Sequence, residues 1–120
     1  KNPLESRVLV MGLTFKEDVA DIRNTKVVDV IQELQSYHLA VDVVDPMADA
    51  AEVQHEYGLQ LLDAPQPGSY DAVIVAVNHA PYRDMQEADF QSLMRDDRGV
   101  LVDLKGLFRG QIQHLTYWSL

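Results

Sequence analysis

Cysteine is absent from the 120-residue chain. Its absence excludes a disulfide framework, a thiolate metal site and a cysteine nucleophile. Long apolar runs are also absent, since none approaches the roughly 20 residues that a membrane-spanning helix needs, and the opening residues 1–6 hold no signal-peptide core. We therefore expect a cytoplasmic protein without a membrane segment. Residues 1–6 are either a polar lead-in or the result of a cut within a longer chain.

Positive charge is scarce, because ten Lys and Arg residues stand against nineteen Asp and Glu residues and leave a formal net charge of −9. Such a surface repels nucleic acid phosphates and anionic lipid, so neither is an expected partner. A phosphate-bearing ligand would have to be held by a local cluster of cations or amides. The length and the apolar content of 47% fit one globular domain over residues 1–120.

Short apolar runs alternate with helical patterns along the chain. We predict strands at residues 7–11, 39–44, 59–62, 72–77, 99–103 and about 115–117. We predict helices from Asn24 or Thr25 to 38, from 48 to 57 before Gly58, and from 89 to 94, with loops at 63–69 and 78–82. Near-continuous β-branched runs indicate strands buried on both faces. The predicted fold is α/β, a Rossmann-like doubly wound and mainly parallel sheet of about five or six strands, with helices on both faces.

Glycine is sparse where a dinucleotide-binding turn would need it. Gly12 follows the first strand, but Thr14, Phe15 and Lys16 occupy the places of further glycines. The backbone cannot then approach a pyrophosphate closely, so NAD bound in the usual way is not expected on this turn. Lys16 is either a point charge for a phosphate or sugar hydroxyl, or solvated surface. Phe15 either stacks on a ring or plugs the core.

Ligands of such sheets lie beyond the carboxyl ends of the strands, near the point where the strand order reverses. If the strands that end at Met11 and Val77 flank that point, Lys16 and Lys105 project toward one crevice. Asp103, Lys105 and the glycine that follows, Gly106, form either a binding loop or a charged turn.

Other polar residues each allow two interpretations. Asp21 and Arg23 pair locally, or they are solvated residues before a helix. His79 is a proton carrier or a hydrogen-bonding residue after a strand. Asp45 is a ribose-binding acid or a common way to leave a strand, and the missing glycine fingerprint favours the second. The histidines lack metal-ligand spacing and no serine lies on a nucleophile elbow, so we predict no metal site and no catalytic residue.

Four motifs at successive strand ends resemble the C-terminal domain of the UDP-glucose/GDP-mannose dehydrogenase family. They are GLTFKEDVADIRNT at 12–25, VDP at 44–46, AVNH at 76–79 and VDLKG at 102–106. They occur in order and cover nearly the whole chain. The closing YWSL at 117–120 further resembles the bacterial branch that acts on UDP-N-acetylhexosamines, such as the UDP-N-acetylglucosamine or galactosamine 6-dehydrogenases of the Vi-polysaccharide type.

The resemblance implies a role within a longer enzyme. Intact members join an NAD-binding domain, a helical dimerisation region and this UDP-sugar-binding domain. They oxidise the sugar C6 alcohol to a carboxylate for surface polysaccharide synthesis, with two hydride transfers to NAD and a cysteine-bound intermediate. Because this chain has neither the glycine fingerprint nor a cysteine, we expect it to be inactive alone and to act with the rest of the enzyme, as a homodimer or larger assembly.

The resemblance also assigns residues. Phe15 and Lys16 would border the UDP-sugar, and Arg23 would face the NAD held by the other domain. Lys105 stands where the family often has an arginine that contacts the nucleotide sugar. Here the ammonium group of lysine replaces the planar guanidinium group of arginine, so a bidentate contact is lost. Arg109 is a candidate to substitute for it.

Two other hypotheses share the predicted fold. A receiver-like signalling domain needs acids clustered after the first strand and a phospho-acceptor aspartate after a central strand, where this chain has Asn78. An interaction or assembly domain without a ligand would place the tail at 111–120 in a subunit interface.

Overall fold

The structure, a computed structural model, describes residues 6–23 and 25–120. Asn24, one of the two predicted helix caps, and residues 1–5 of the predicted lead-in lie outside the described residues. The strands are β1 (Arg7–Met11), β2 (Ala40–Val44), β3 (Ala72–Val75), β4 (Val100–Asp103) and β5 (Thr116–Ser119). The helices are α1 (Val27–Ser36), α2 (Ala50–Tyr57), α3 (Ala80–Arg83) and α4 (Glu87–Leu93).

The five strands form one parallel sheet in the order β2-β1-β3-β4-β5. This is a doubly wound order, and its reversal lies between β1 and β3, as predicted. The residues that end these two strands, Met11 and Val75, are paired in the ladder. The predicted fold class and strand number are therefore confirmed. None of the helices among the described residues has the length and hydrophobicity to cross a bilayer.

Apolar side chains on alternate positions of the sheet build two separate cores. Val8, Val10 and Ile74 pack on one face with α1 and α2, whose buried residues include Ile31 and Val53. Leu9, Met11, Val73, Val75 and Leu101 pack on the other face against α3, α4 and Phe108. Because both faces are covered, the strands read as nearly continuous apolar runs rather than as alternating patterns.

Three element predictions are wrong in instructive ways. The predicted strand at 59–62 is a single bridge between Leu61 and Val43. The predicted loop at 78–82 overlaps α3, one helical turn that is favoured by Pro81 in its first turn. Helix α4 begins two residues before the predicted start, because Gln86 is the cap and Asp89 closes a capping box with it.

Helix α1 begins after Thr25, whose hydroxyl accepts the Val27 amide at 3.2 Å. Its predicted apolar face is buried at Val27, Val28 and Ile31, but Val30 remains 36% exposed. Helix α2 ends at Gly58, as predicted, and this glycine adopts the left-handed conformation with φ of 68°. The predicted strand at 72–77 ends its ladder at Val75, and the two residues after it line a cleft.

Candidate functional site: a cationic cleft at the carboxyl edge of the sheet

A cleft of about 440 Å³ lies beyond the carboxyl ends of β1, β3 and β4. Its apolar lining comes from Ala76 and Val77 after β3, from Val30 of α1 and from Leu104 after β4. The loop between β1 and α1 forms another wall. The cleft therefore occupies the position where doubly wound sheets bind their ligands.

Gly12 lets the loop after β1 pass directly over the end of β3. Its φ is +100°, and a Cβ atom there would lie 2.7 Å from the Val77 Cβ and 2.8 Å from the Val77 nitrogen. Any side chain at this position would collide with backbone as well as with a side chain. The glycine is thus required by close packing between neighbouring strands, and not by the approach of a pyrophosphate.

The loop after Gly12 presents Phe15 and Lys16 to the cleft. The Phe15 amide donates to the Asp21 carbonyl at 2.7 Å, and the Thr14 hydroxyl donates to the Lys16 carbonyl at 2.9 Å. The Phe15 ring is 54% exposed, so the interpretation of this residue as a core plug is wrong. An exposed aromatic ring beside a lysine is suited to cover a base or a sugar.

Three lysines line the cleft, Lys16, Lys26 and Lys105. The Lys105 Nζ lies 3.7 Å from a Glu17 carboxylate oxygen. Neither Lys16 nor Lys26 forms an ion pair with any described residue. In a chain with nearly twice as many acids as bases, two unpaired lysines on one cleft indicate an anionic ligand.

The sequence predicts Lys16 and Lys105 at one crevice, and both line the cleft, but it does not predict Lys26 there. The signal was available in principle, because a helix that follows β1 must begin at the same edge of the sheet where β1 ends. A basic residue at the start of that helix therefore lies at the carboxyl edge of the sheet, where ligands bind. Lys26 immediately precedes α1, and its sequence context is that of an ordinary helix start.

Arg23 lies outside the cleft lining. Its guanidinium binds both carboxylate oxygens of Asp21, at 3.0 and 3.1 Å, and its side chain is 81% exposed. The predicted local pair therefore forms, and the hydrogen bonds from Arg23 lower the pKa of Asp21. The role of Arg23 toward NAD stays a prediction.

Asp45 is the structural hub of the site. Its Oδ2 accepts the Leu13 amide at 2.6 Å, the Thr14 amide at 3.1 Å and His79 Nε2 at 2.9 Å. Its Oδ1 accepts the amides of Met47 and Ala48, at 2.7 and 3.1 Å. Since a carboxylate offers about four lone-pair positions, this group has none left for a ribose.

The ionisation of Asp45 reflects these contacts. Burial by itself would raise the pKa of Asp45, but the hydrogen bonds from His79 and from the Leu13 and Met47 amides outweigh it, so the pKa lies below its ordinary value. The interpretation of Asp45 as a ribose-binding acid is therefore not supported by the structure. It fastens the loops that follow β1, β2 and β3 to one another.

His79 is fully buried beneath the loop that carries Lys16. Its Nδ1 accepts the Asp18 amide at 3.0 Å. The ring hydrogen must then be on Nε2, which faces Asp45 and the Thr14 hydroxyl. Both nitrogens are used within the protein, so the geometry supports the hydrogen-bonding interpretation of His79 over that of a proton carrier.

A second buried acid holds the turn that carries Lys105. The Asp103 Oδ2 accepts the Phe108 amide at 2.7 Å and the Tyr117 hydroxyl at 2.6 Å. Arg109 lies over this turn, since a Cβ on Gly106 would be 2.8 Å from its guanidinium carbon. The Arg109 guanidinium donates to Ser119 and to the carbonyl of Leu120. Its substitution for the family arginine stays a prediction.

The fold and this cleft together define a nucleotide-binding α/β domain. Asn78, and not an aspartate, lies in the loop after β3, where a receiver-like domain carries its phospho-acceptor, so that hypothesis is not supported. The chain matches, over residues 9–110, the model of the UDP-glucose/GDP-mannose dehydrogenase family, UDP-binding domain. The chain belongs to this family.

Named relatives agree with that assignment. The chain is 46% identical over 102 residues to a UDP-N-acetyl-D-glucosamine 6-dehydrogenase of Pseudomonas aeruginosa, covering 85% of this chain and 24% of the relative. It is 45% identical over 100 residues to the protein of the same name from Salmonella typhi, covering 83% and 23%. The chain therefore spans about a quarter of the length of these relatives.

Solved structures show the same fold. A UDP-D-ManNAc dehydrogenase from Pyrococcus horikoshii superimposes with a TM-score of 0.78 at 17% identity, covering 98% of this chain and 26% of that one. A UDP-glucose dehydrogenase from Pyrobaculum islandicum superimposes with a TM-score of 0.67 at 25% identity, covering 94% and 24%.

Proposed function

We propose that the chain is the UDP-sugar-binding domain of an NAD-dependent nucleotide-sugar 6-dehydrogenase. The observation that carries this proposal is the convergence of Lys16, Lys26 and Lys105 on one cleft of an acidic chain. The names of the relatives, UDP-N-acetyl-D-glucosamine 6-dehydrogenases, favour a UDP-N-acetylhexosamine as the substrate. Residues 1–120 form one domain of a longer cytoplasmic enzyme that acts as a homodimer or larger assembly.

The three lysines have distinct places around a bound UDP-sugar. Lys16 and Lys26, whose ammonium groups form no ion pair with any described residue, supply charge to the diphosphate. Lys105 exchanges its Glu17 contact for a phosphate or a sugar hydroxyl. Phe15 covers the uracil or the sugar with its exposed face. Lysine ammonium groups suit this task because each supplies three donors without fixing one planar geometry.

NAD does not fit this domain in the manner of a dinucleotide-binding fold. Val77 occupies the space beside Gly12, and Asp45 has no acceptor capacity left for a ribose. NAD, which accepts hydride when bound, would be held by the part of the enzyme outside this chain, with Arg23 at the boundary. The chain has no cysteine, so we assign it binding and orientation of the substrate and no covalent step.

Titration of the 120-residue chain with UDP, followed by amide chemical shifts, tests the proposal. We expect shifts at residues 12–16, 26 and 105, and we expect UDP to bind more tightly than uridine. Lys16→Met and Lys26→Met should each weaken UDP binding about tenfold, since a hydrogen bond to a charged group contributes about 1.5–3 kcal/mol.

The matched control is Arg98→Gln, which removes one positive charge near the opposite edge of the sheet, where Arg98 pairs with Asp96. This variant should bind UDP like the wild type. Absence of shifts at saturating UDP, or equal weakening by the control, would contradict the proposal and favour a ligand-free assembly domain.

A further inference from the structure

The cleft lysine Lys16 is anchored from below by a buried hydrogen-bond chain. Thr14 is 1% exposed, and its hydroxyl donates its one hydrogen to the Lys16 carbonyl at 2.9 Å. The His79 Nε2 lies 3.1 Å from the same hydroxyl oxygen. Because the hydroxyl hydrogen is already used, Thr14 must accept from His79 at that contact.

The direction of this chain is fixed by one backbone amide. Asp18 donates its amide to His79 Nδ1 at 3.0 Å, which places the ring hydrogen on Nε2. That hydrogen is shared between Asp45 Oδ2 at 2.9 Å and the Thr14 hydroxyl at 3.1 Å. The sequence of donors therefore runs from Asp18 through His79 to Thr14, and from Thr14 to the Lys16 carbonyl.

One imidazole consequently holds both ends of the loop that displays Phe15 and Lys16. It contacts the side chain of Thr14 at one end and the amide of Asp18 at the other. Asp18 has a positive φ of 60°, which an aspartate tolerates better than most residues. Its carboxylate also accepts the Ala80 amide at 2.7 Å, so the loop is tied to the residue after His79 as well.

We propose that Thr14 and His79 are positioning residues for Lys16. Thr14 is among the residues that line the cleft and His79 is not, but the Thr14 hydroxyl is already used by the Lys16 carbonyl and His79. The two residues set the main-chain orientation of Lys16, so that its ammonium is directed into the cleft before UDP arrives, and binding does not have to order the loop. The inference rests on the proposed function, because it assigns Lys16 the anion contact.

Substitution of Thr14 separates this role from simple packing. Thr14→Val keeps the shape and removes the hydroxyl, whereas Thr14→Ser keeps the hydroxyl. We expect UDP to bind the valine variant about three- to tenfold more weakly, as for the loss of one net hydrogen bond, and the serine variant within about twofold of the wild type. Valine and serine variants that bind UDP equally well would overturn the proposal.

A double-mutant cycle tests whether Thr14 acts through Lys16. In a Lys16→Met background, Thr14→Val should change UDP affinity by less than about twofold, because the group that it positions is gone. An undiminished effect in that background would show that Thr14 acts independently of Lys16 and would overturn the proposal. Tyr70→Phe is the matched control, since it removes a buried hydroxyl bonded to Asp42 near the opposite edge of the sheet.

Two measurements without ligand keep this inference distinct from the proposed function. The ring ¹⁵N shifts of His79 should show hydrogen on Nε2 alone, and amide exchange at residues 16–18 should accelerate in Thr14→Val but not in Tyr70→Phe. If wild-type protein binds no UDP, the proposed function fails while these results still decide the anchoring. A ring hydrogen on Nδ1, or exchange unchanged by Thr14→Val, would overturn it.

Discussion

The most heavily used single residue of the domain is Asp45. Its two oxygens receive hydrogen bonds from four backbone amides and one imidazole, which belong to the loops after three different strands. The four amides would lose this acceptor if the carboxylate were lost, and His79 would keep only its contact with Thr14. An unsatisfied buried donor costs about 1–3 kcal/mol, so this residue contributes to the stability of the whole carboxyl edge.

We expect Asp45→Asn to reduce the free energy of unfolding by about 2–3 kcal/mol at pH 7, because the amide nitrogen of asparagine would face donors and could accept from none of them. Urea denaturation checks this. Asp63→Asn, at an exposed acid in the following loop, serves as control and should change stability little. Equal stability of the two variants would contradict the assignment of Asp45 as a hub.

Single residues also show what sequence can and cannot predict about a site. Lys16 and Lys105 were expected at one crevice because fold rules place strand ends together, and both line the cleft. The contact between Thr14 and His79 joins residues 65 positions apart, and no local pattern signals it. Lys26 was missed because its pattern is that of an ordinary helix start.

At the scale of elements, helix α4 controls the start of the edge strand β5. Glu87, in the first turn of α4, accepts the amides of Gln113, His114 and Leu115 at 3.0, 2.7 and 2.9 Å. The hydrogen bond from the Leu115 amide lowers the pKa of Glu87, and those from the Gln113 and His114 amides lower it further. Together they outweigh partial burial, which by itself would raise the pKa. One helical side chain thus orders three residues that lead into a strand.

Glu87→Gln should loosen β5 without unfolding the sheet, because the neutral amide offers one acceptor oxygen in place of two charged ones. We expect amide exchange in residues 113–119 to accelerate several-fold, while exchange in β1 and β3 stays unchanged. Hydrogen exchange followed by NMR measures both. Glu33→Gln, on the exposed side of α1, is the control, and a uniform acceleration throughout the sheet would contradict this local role.

Elements were predicted well where burial on two faces gave long apolar runs, as for β1 and β3. They were predicted poorly where tertiary contacts decide. The sequence of helix α3 resembles that of a loop, but contacts with Asp18 stabilise a helical turn. The Asp18 carboxylate accepts the first amide of α3 and pairs with Arg83 at 2.9 Å. The segment at 59–62 has strand-like residues, but its pairing with β2 is one bridge between Leu61 and Val43, beside a hydrogen bond from the Leu62 amide to the Val43 carbonyl.

For the whole molecule, ionised acids that bind amides make stability depend on pH. Asp18 and Glu87 have a lowered pKa because they accept backbone amides, of Ala80 and Leu115 foremost, and Asp45 has one despite its burial. The sign follows from linkage: a lowered folded pKa contributes stability above the ordinary pKa of the group, and this is lost as the pH falls through the folded value.

We therefore expect the free energy of unfolding to fall steeply below about pH 4, the ordinary range for carboxyl groups. Asp45→Asn should show a shallower acid limb, by up to one proton or about 1.4 kcal/mol per pH unit. Urea denaturation between pH 7 and pH 2.5 measures this. Parallel acid limbs for wild type and variant would show that Asp45 is not among the groups that titrate on unfolding.

The committed carboxylate of Asp45 has a consequence for competition between nucleotides. In a dinucleotide-binding sheet the acid at this strand end selects the adenosine ribose, and here it is occupied from within the protein. A free dinucleotide, oxidised or reduced, therefore lacks this ribose contact on the domain.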